Sequence, residues 1–504
     1  MNSAFGGQSL MRTKTAETSG VSCVLKNIDG IVSLCDIVKS SYGIHGAYKL
    51  VVNSHQKTVI SRSVSSILSG CDIEHPALRM LVEPIAHLAQ MGDCTGFLMG
   101  VIGEILRRSG SLISQGVLPM EISSGLRECL EEVRGLFEEE SEKAEFSLTD
   151  QEVLRKVLSG IVKEKRVTEL LAESIASISQ RGSFPIDSVR VAKVNVGSLS
   201  DSERFQGMLL ETGPAGSVEK GENLKTAIYT CPLAISNMET KGTVLLKNAE
   251  DLLTYTSDDE ATVRNFVDRI TANGVGLLIC NGTVDSLMLD FLNEKGVIVL
   301  KVTSKFELRR LCMLFGGKFS NTLTPIEEGS LGRCSVLEVC AYGERRYTRV
   351  LGAGRVDTII IKGSLPARLE EHERVIGKAT CALQVVANES MRTGSIRLLK
   401  GAGICEKNLS KRIREIGEQH TDMRQVAMKI LAESIHSVGE RCLSESIPES
   451  SYDQVYDVAA IKERALTYAL VLSSDILSIS QMFITTNEDT LQAPKRPGNW
   501  DDLD

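Results

Sequence analysis

The chain has 504 residues, 42% of them hydrophobic and 24% charged, so a globular protein of roughly two to four domains is expected. Its 57 basic and 65 acidic residues give a net charge of -8, with no long basic stripe, which speaks against a nucleic-acid partner. Thirteen cysteines, none spaced Cys-x-x-Cys, and seven dispersed histidines argue against a disulfide framework and a zinc site and fit reduced thiols in the cytoplasm.

The N-terminus has no apolar signal core, and no run of about 18 apolar residues offers a membrane span. Its first residues, with Arg12 and Lys14 among Ser and Thr, read as a disordered arm. Val21–Leu25 looks strand-like. Lys49 to Asn53 and Lys57 to Ser61 are rich in Val and Ile and flank the polar Ser54-His55-Gln56, which predicts a hairpin. Two strands are marginal alone, so this ribbon is expected to pair with another chain or with the chain termini. Leu78, Leu81, Val82, Ile85 and Leu88 recur at helical spacing, as do Leu98, Val101, Ile102, Ile105 and Leu106. A third helix is expected to start at Pro119 and run through Ile122, Leu126, Leu130 and Val133 to the acidic Glu138-Glu139-Glu140.

The middle changes character. Strand-like runs at Ala227–Cys231, Gly276–Cys280 and Val297–Val302 alternate with helical segments at Ala249–Leu253 and Thr262–Ile270, which implies an α/β unit. Ser335–Cys340, Tyr347–Leu351 and Thr358–Ile361 read as further strands. Helical spacing returns from Ala459 to Ile484, overlapping a strand-like Met482–Thr486. The tail after Gln492, with Pro494, Pro497, Gly498 and terminal acids, reads as disordered. Helical, mixed, helical is the order expected when one domain is inserted into another.

Several segments resemble the group II chaperonins, across nearly the whole chain. Gly92-Asp93-Cys94-Thr95 is similar to the family's Gly-Asp-Gly-Thr phosphate loop, and Tyr42-Gly43-Ile44-His45-Gly46 to its Leu-Gly-Pro-Lys-Gly loop. Gly116-Val117-Leu118-Pro119 and Gly401-Ala402-Gly403-Ile404-Cys405-Glu406 resemble two further family turns. Glu239–Val244, Leu308–Cys312 and Asn499–Asp502 resemble one particular subunit type of the eukaryotic cytosolic chaperonin. The resemblance implies an α+β multidomain fold. Residues 1–140 and 395–504 would form a mostly helical equatorial domain, and 141–203 and 354–394 a small intermediate hinge. Residues 204–353 would form an inserted α/β apical domain with a helical protrusion at about 248–270. It also implies a double ring of about sixteen chains that folds unfolded clients such as actin and tubulin in an ATP-dependent cycle, with ATP and Mg as cofactors.

A phosphate loop needs glycine for close backbone approach and a helix N-terminus for its partial positive charge. Gly43, Gly46, Gly92, Gly96, Gly401 and Gly403 are the candidates, with Cys94 beside them and Thr95 opening a helix. Asp93 suits either a magnesium ligand or a helix N-cap. Asp457, ahead of Ala459-Ala460-Ile461-Lys462, suits either a ribose contact or another N-cap. The family's two hydrolytic aspartates match Ser63 and Lys378 here, and neither orients an attacking water as a carboxylate does. Cys94 also adds a side chain where the family has glycine. Weak or lost hydrolysis follows, unless the alignment slips near Asp72 and Glu74. A thiol at a helix start invites a nucleophilic role for Cys94, but the histidine near it in sequence, His87, reads as core-facing. Lys305, Phe306, Arg309 and Arg310 are expected to touch clients, against the plainer reading of a solvated helix face. Two other readings stand beside the ATP-driven subunit: a purely structural ring subunit with an inert pocket, and a free-standing α/β enzyme, for which no Walker or Gly-x-Gly-x-x-Gly loop speaks.

Overall fold

A computed structural model describes residues 15–53, 56–73, 75–179, 183–234, 260–261, 263–442 and 454–485. Arg12, Lys14, Ser54, His55, Glu74, Glu239–Val244, Ala249–Leu253, most of the expected protrusion and the tail after Gln492 lie outside the described residues.

The first stretch contains β1 (Thr15–Ser19), α1 (Val21–Lys39), the antiparallel pair β2 (Lys49–Val52) and β3 (Thr58–Ser61), then α2 (Val64–Ser69), α3 (Pro76–Met91), α4 (Thr95–Ser114) and α5 (Pro119–Glu140). Pro76 and Pro119 each open a helix, where the missing N–H costs no bond. All five apolar residues predicted for one face of α4 are buried. In α3, Leu81, Ile85 and Leu88 are buried, whereas Val82 faces solvent. His87 also lies on the solvent side of α3, bonded through Nδ1 to the Tyr468 hydroxyl at 3.0 Å, so the core-facing reading was wrong.

Next come β4 (Glu142–Ala144), α6 (Gln151–Leu158), α7 (Lys165–Ile178), β5 (Val189–Val194) and β6 (Glu203–Gln206). The mixed middle holds β7 (Met208–Leu210), β8 (Gly221–Tyr229), α8 (residues 263–271), β9 (Val275–Cys280), α9 (Ser286–Glu294), β10 (Ile298–Lys301), α10 (Lys305–Phe315), β11 (Phe319–Ser320), β12 (Gly332–Tyr342) and β13 (Arg345–Gly352). The chain then returns through β14 (Asp357–Lys362), α11 (Pro366–Thr393), β15 (Ile396–Lys400), α12 (Ile404–Gly417), α13 (Met423–Cys442), β16 (Tyr456–Val458), α14 (Ala459–Ser478) and β17 (Gln481–Thr485).

Strands of the middle form one sheet in the order β10-β9-β8-β12-β13-β7, with β11 beside β8. Side chains alternate between its faces, as the pleat requires. Ile228, Leu277, Ile279 and Leu300 meet Leu308, Leu311 and Phe315 of α10 on one side. Tyr229, Leu278, Cys280 and Val299 meet α8 and α9 through Val267, Ile270, Met288 and Leu292 on the other. The chain enters this unit from β6 and leaves it into β14, and these two strands pair with each other. Entry and exit therefore share a small sheet, β5-β14-β6.

Both ends of the chain build one further core. Val24, Leu98, Ile102, Leu126 and Phe137 from the first stretch pack with Leu409, Leu431, Ile435, Leu466 and Ile476 from the last. Two expectations about the termini are corrected. Val21–Leu25 begins α1 rather than a strand, because Cys23, Val24 and Ile28 follow helical spacing into the core. The helix predicted to Ile484 stops at Ser478, and β17 pairs antiparallel with β1, not with the hairpin. Among the described residues, β2 and β3 pair only with each other.

Candidate functional site

Segments far apart in sequence enclose a cavity of about 480 Å³. Gly43, Gly92, Asp93, Cys94, Thr95, Gly96, Gly403, Asp457, Ser63 and Lys378 all line it. Gly46 and Gly401 do not; they pack behind it, against Ser41 and Val455. The turn α3–α4 supplies the floor. Gly92 has φ 104°, and a Cβ there would stand 2.3 Å from the Lys378 carbonyl, so α11 can approach only a glycine. At φ 92°, Gly403 likewise lets the Gly439 carbonyl of α13 come close to α12. Thus these two glycines shape the site by drawing helices together.

Cys94 is a different case. It holds the left-handed conformation with φ 65°, where a side chain costs roughly 1–2 kcal/mol relative to glycine. Ala402, at φ 59°, carries a similar strain on the opposite rim. Burial first, then the Asp93 charge, pushes the Cys94 thiol's pKa well above 9.0, which disfavours the thiolate that a nucleophilic role would need. Thr95 is the first residue of α4 and is buried.

Asp93 does not cap α4, since Cys94 occupies that position. Burial raises its pKa to about 6, and the facing Asp457 adds to the rise. Asp457 is no cap either. It sits in β16, paired across from Leu399, and accepts from the Lys462 ammonium at 2.6 Å. Lys462 also reaches Glu406 Oε1 at 2.9 Å, and Lys462 and Glu406 side chains are each 1% exposed. Burial alone would lower the Lys462 pKa; Asp457 and Glu406 outweigh it and hold the ammonium charged. The Tyr42 hydroxyl donates to the same Glu406 oxygen at 3.2 Å.

Lys378 of α11, which lines the same cavity, donates to the Ser63 hydroxyl and, at 3.0 Å, to that of Ser65. The two serine oxygens lie 2.9 Å apart. Ser63 precedes α2 but makes no cap bond with its side chain. Lys163, just ahead of α7, donates to the carbonyls of Gly43, at 2.5 Å, and Ile44. Burial, then Arg62, lowers its pKa to about 8. Glu371 Oε1 accepts from the Ser61 hydroxyl at 3.0 Å and the Arg62 amide at 3.2 Å.

Sequence reasoning missed Lys163, Glu371, Glu406 and Lys462 as residues of the cavity. Lys462 carried a signal, being one cation in an apolar helical stretch. Lys163 and Glu371 sit in charged runs that look like solvated faces.

The residues proposed for clients lie on α10, far along the chain from this cavity. Phe306 is 68% exposed. Arg310 Nε donates to the Asp187 carbonyl at 2.8 Å, and Arg309 pairs with the Asp187 carboxylate at 3.2 Å. Glu307 binds Arg190 at 2.6 Å, so three side chains fasten α10 to β5 and the segment ahead of it. Lys305 opens the helix beside them.

Ends that share a core, an inserted α/β unit and a glycine-lined cavity between three bodies of sequence define a chaperonin subunit. Residues 34–441 match the TCP-1/cpn60 chaperonin family, to which the chain belongs. T-complex protein 1 subunit theta of Encephalitozoon cuniculi is 33% identical over 471 residues, covering 93% of both chains. The theta subunit of Saccharomyces cerevisiae is 30% identical over 553 residues, covering 95% of both, and that of Mus musculus is 26% identical over 435 residues, covering 84% of this chain and 78% of its own. Theta is the subunit type that Leu308–Cys312 and its two companion segments resemble. Among the described residues no helix is long and apolar enough to cross a membrane.

Proposed function

We propose that the chain is one subunit of a cytoplasmic hetero-oligomeric double ring, and that it binds ATP in the cavity at Asp93 but hydrolyses it weakly or not at all. The observation that carries this reading is the pairing of Lys378 with Ser63 and Ser65 in the cavity that Asp93 also lines. Hydrolysis needs an acceptor that orients the attacking water, and neither a charged ammonium nor a neutral hydroxyl provides one.

Binding is a separate matter, and the cavity suits it. Backbone turns at Gly43, Gly92–Gly96 and Gly403 and the start of α4 offer N–H groups to phosphates. Asp93 would hold magnesium, which takes one or two carboxylates together with phosphate oxygens and water. That ion supplies charge neutralisation at the phosphates when bound. Asp457 would reach the sugar, with Lys462 and Glu406 holding its carboxylate in place.

The segments 1–140 and 395–504 would serve as the equatorial base, 141–203 and 354–394 as the hinge, and 204–353 as the apical unit. The exposed Phe306 supports client contact on α10. Actin- and tubulin-like clients follow from the family alone.

Rings in which only this subunit keeps an unmutated pocket test the reading. Nucleotide should remain bound after a single mixing with ATP, with negligible phosphate release. Release at the rate of an ordinary subunit, or failure to retain nucleotide, would overturn it.

A further inference from the structure

Four cations line the cavity, and three are engaged. Lys462 is neutralised by Glu406 and Asp457. Lys163 grips the carbonyls of Gly43 and Ile44. Arg62 lies over the Tyr48 ring at 4.5 Å and donates to the Gly46 carbonyl at 3.4 Å. Lys378 differs in what it holds: both its hydrogen bonds run to hydroxyls, which keep a proton to donate, and the acidic charges that act on it, Glu371 and Asp93, form no ion pair with its Nζ among the described residues. Glu371 lines the same wall, but its Oε1 is taken by Ser61 and the Arg62 amide, and it faces Arg374 through Oε2 at 3.5 Å.

An ammonium held by two hydroxyls is half of an anion site. Each serine oxygen accepts from Lys378 through a lone pair and keeps its own O–H proton to donate. With the two oxygens 2.9 Å apart, Ser65, which does not line the cavity, can donate to Ser63 and leave the Ser63 O–H free to turn towards the cavity. A phosphate oxygen there would receive one charge-assisted bond and one neutral bond. A carboxylate at either position would repel it.

We infer that Lys378 and Ser63, backed by Ser65, hold the terminal phosphate of a nucleoside triphosphate, so that this pocket prefers the triphosphate to the diphosphate. The inference rests on the proposed nucleotide reading and adds a second consequence to it. On that reading Ser63 and Lys378 offer no acceptor for water and also provide an anchor for the group that would have been released. Lys378 is the specificity-determining residue, and the serines position its ammonium.

Equilibrium titration of the full chain with ATP and with ADP, in magnesium, tests this. Wild type should bind ATP at least about tenfold more tightly than ADP, equivalent to about 1.4 kcal/mol. Lys378→Met should bring the ratio close to one by weakening ATP, with ADP affinity held within about twofold, which also shows that the pocket has folded. Lys378→Arg should keep most of the preference. The double variant Ser63→Ala, Ser65→Ala should lose part of it while retaining the cation. An ATP-to-ADP ratio unchanged by Lys378→Met sinks the inference alone. Binding of neither nucleotide by wild type sinks the nucleotide reading as well. A last arm adds inorganic phosphate to ADP. Tightening of ADP without any preference for ATP would reassign the anchor to free phosphate and overturn the tethered form.

Discussion

Among single residues, Lys462 shows most plainly how the cavity is supported. Its ammonium is buried between two carboxylates, and removal of one partner leaves the others uncompensated. Lys462→Met should destabilise the chain by about 3–5 kcal/mol, read as a lowered denaturant midpoint, whereas a surface lysine change would shift it little. Lys163 gives a pH dependence. Its pKa lies at about 8, below the ordinary 10.5, because the folded chain disfavours its charge. Between these values the unfolded chain binds the proton and the folded chain does not. This group's contribution to stability therefore rises with pH across that window. Its grip on the Gly43 and Ile44 carbonyls moves the other way, since a neutral amine donates more weakly. Nucleotide affinity should fall as pH rises from about 7 to about 9, and calorimetric titration of Lys163→Met should show a flatter profile.

At the scale of elements, the hairpin and α10 make opposite uses of exposure. Leu50 and Val52 alternate onto one face of β2 and are 65% and 59% exposed. A two-stranded ribbon with apolar side chains in water asks for another strand or surface. Leu50→Asp with Val52→Asp should leave the monomer's melting curve within about 0.5 kcal/mol of wild type, because both side chains are well exposed among the described residues. Native electrophoresis should nonetheless show the variant excluded from megadalton rings. On α10, Phe306→Ser should reduce capture of a chemically unfolded client without changing stability. Arg310→Ala should instead loosen the helix, since Arg310 holds the Asp187 carbonyl. The sequence showed both elements and their apolar residues. It did not show which charges were engaged, because a hydrogen bond to a carbonyl 123 residues away leaves no local pattern. Helices with a regular buried stripe, such as α4, were legible throughout. The ends of α14 and α1 were not, because β1 and β17 exist through pairing with each other, and neither strand carries that partner in its own residues.

Over the whole molecule, the site was legible as glycine turns and carboxylates in the right order, and illegible as a network. Gly43, Asp93, Lys378 and Asp457 meet because the two ends of the chain share one core and α11 lies across the α3–α4 turn. A helix of 28 residues, about 42 Å long, α11 follows the small sheet that carries the chain out of the inserted α/β unit, and Lys378 sits within it. Motion of that helix would therefore couple the cavity to the inserted unit whether or not phosphate is released. This separates the proposed hydrolytic defect from the scaffold. If the defect resides only in Ser63 and Lys378, the double variant Ser63→Asp, Lys378→Asp should restore an acceptor for water without altering the fold. Each carboxylate alone should do less. Ser63→Asp would pair with the remaining ammonium, and Lys378→Asp would leave the other wall neutral. Assembled rings with every other pocket disabled should then release phosphate at least about tenfold faster with the double variant than with wild type, one decade being about 1.4 kcal/mol of barrier. No gain from the double variant would place the block elsewhere, with the left-handed Cys94 as the next residue to change, to glycine.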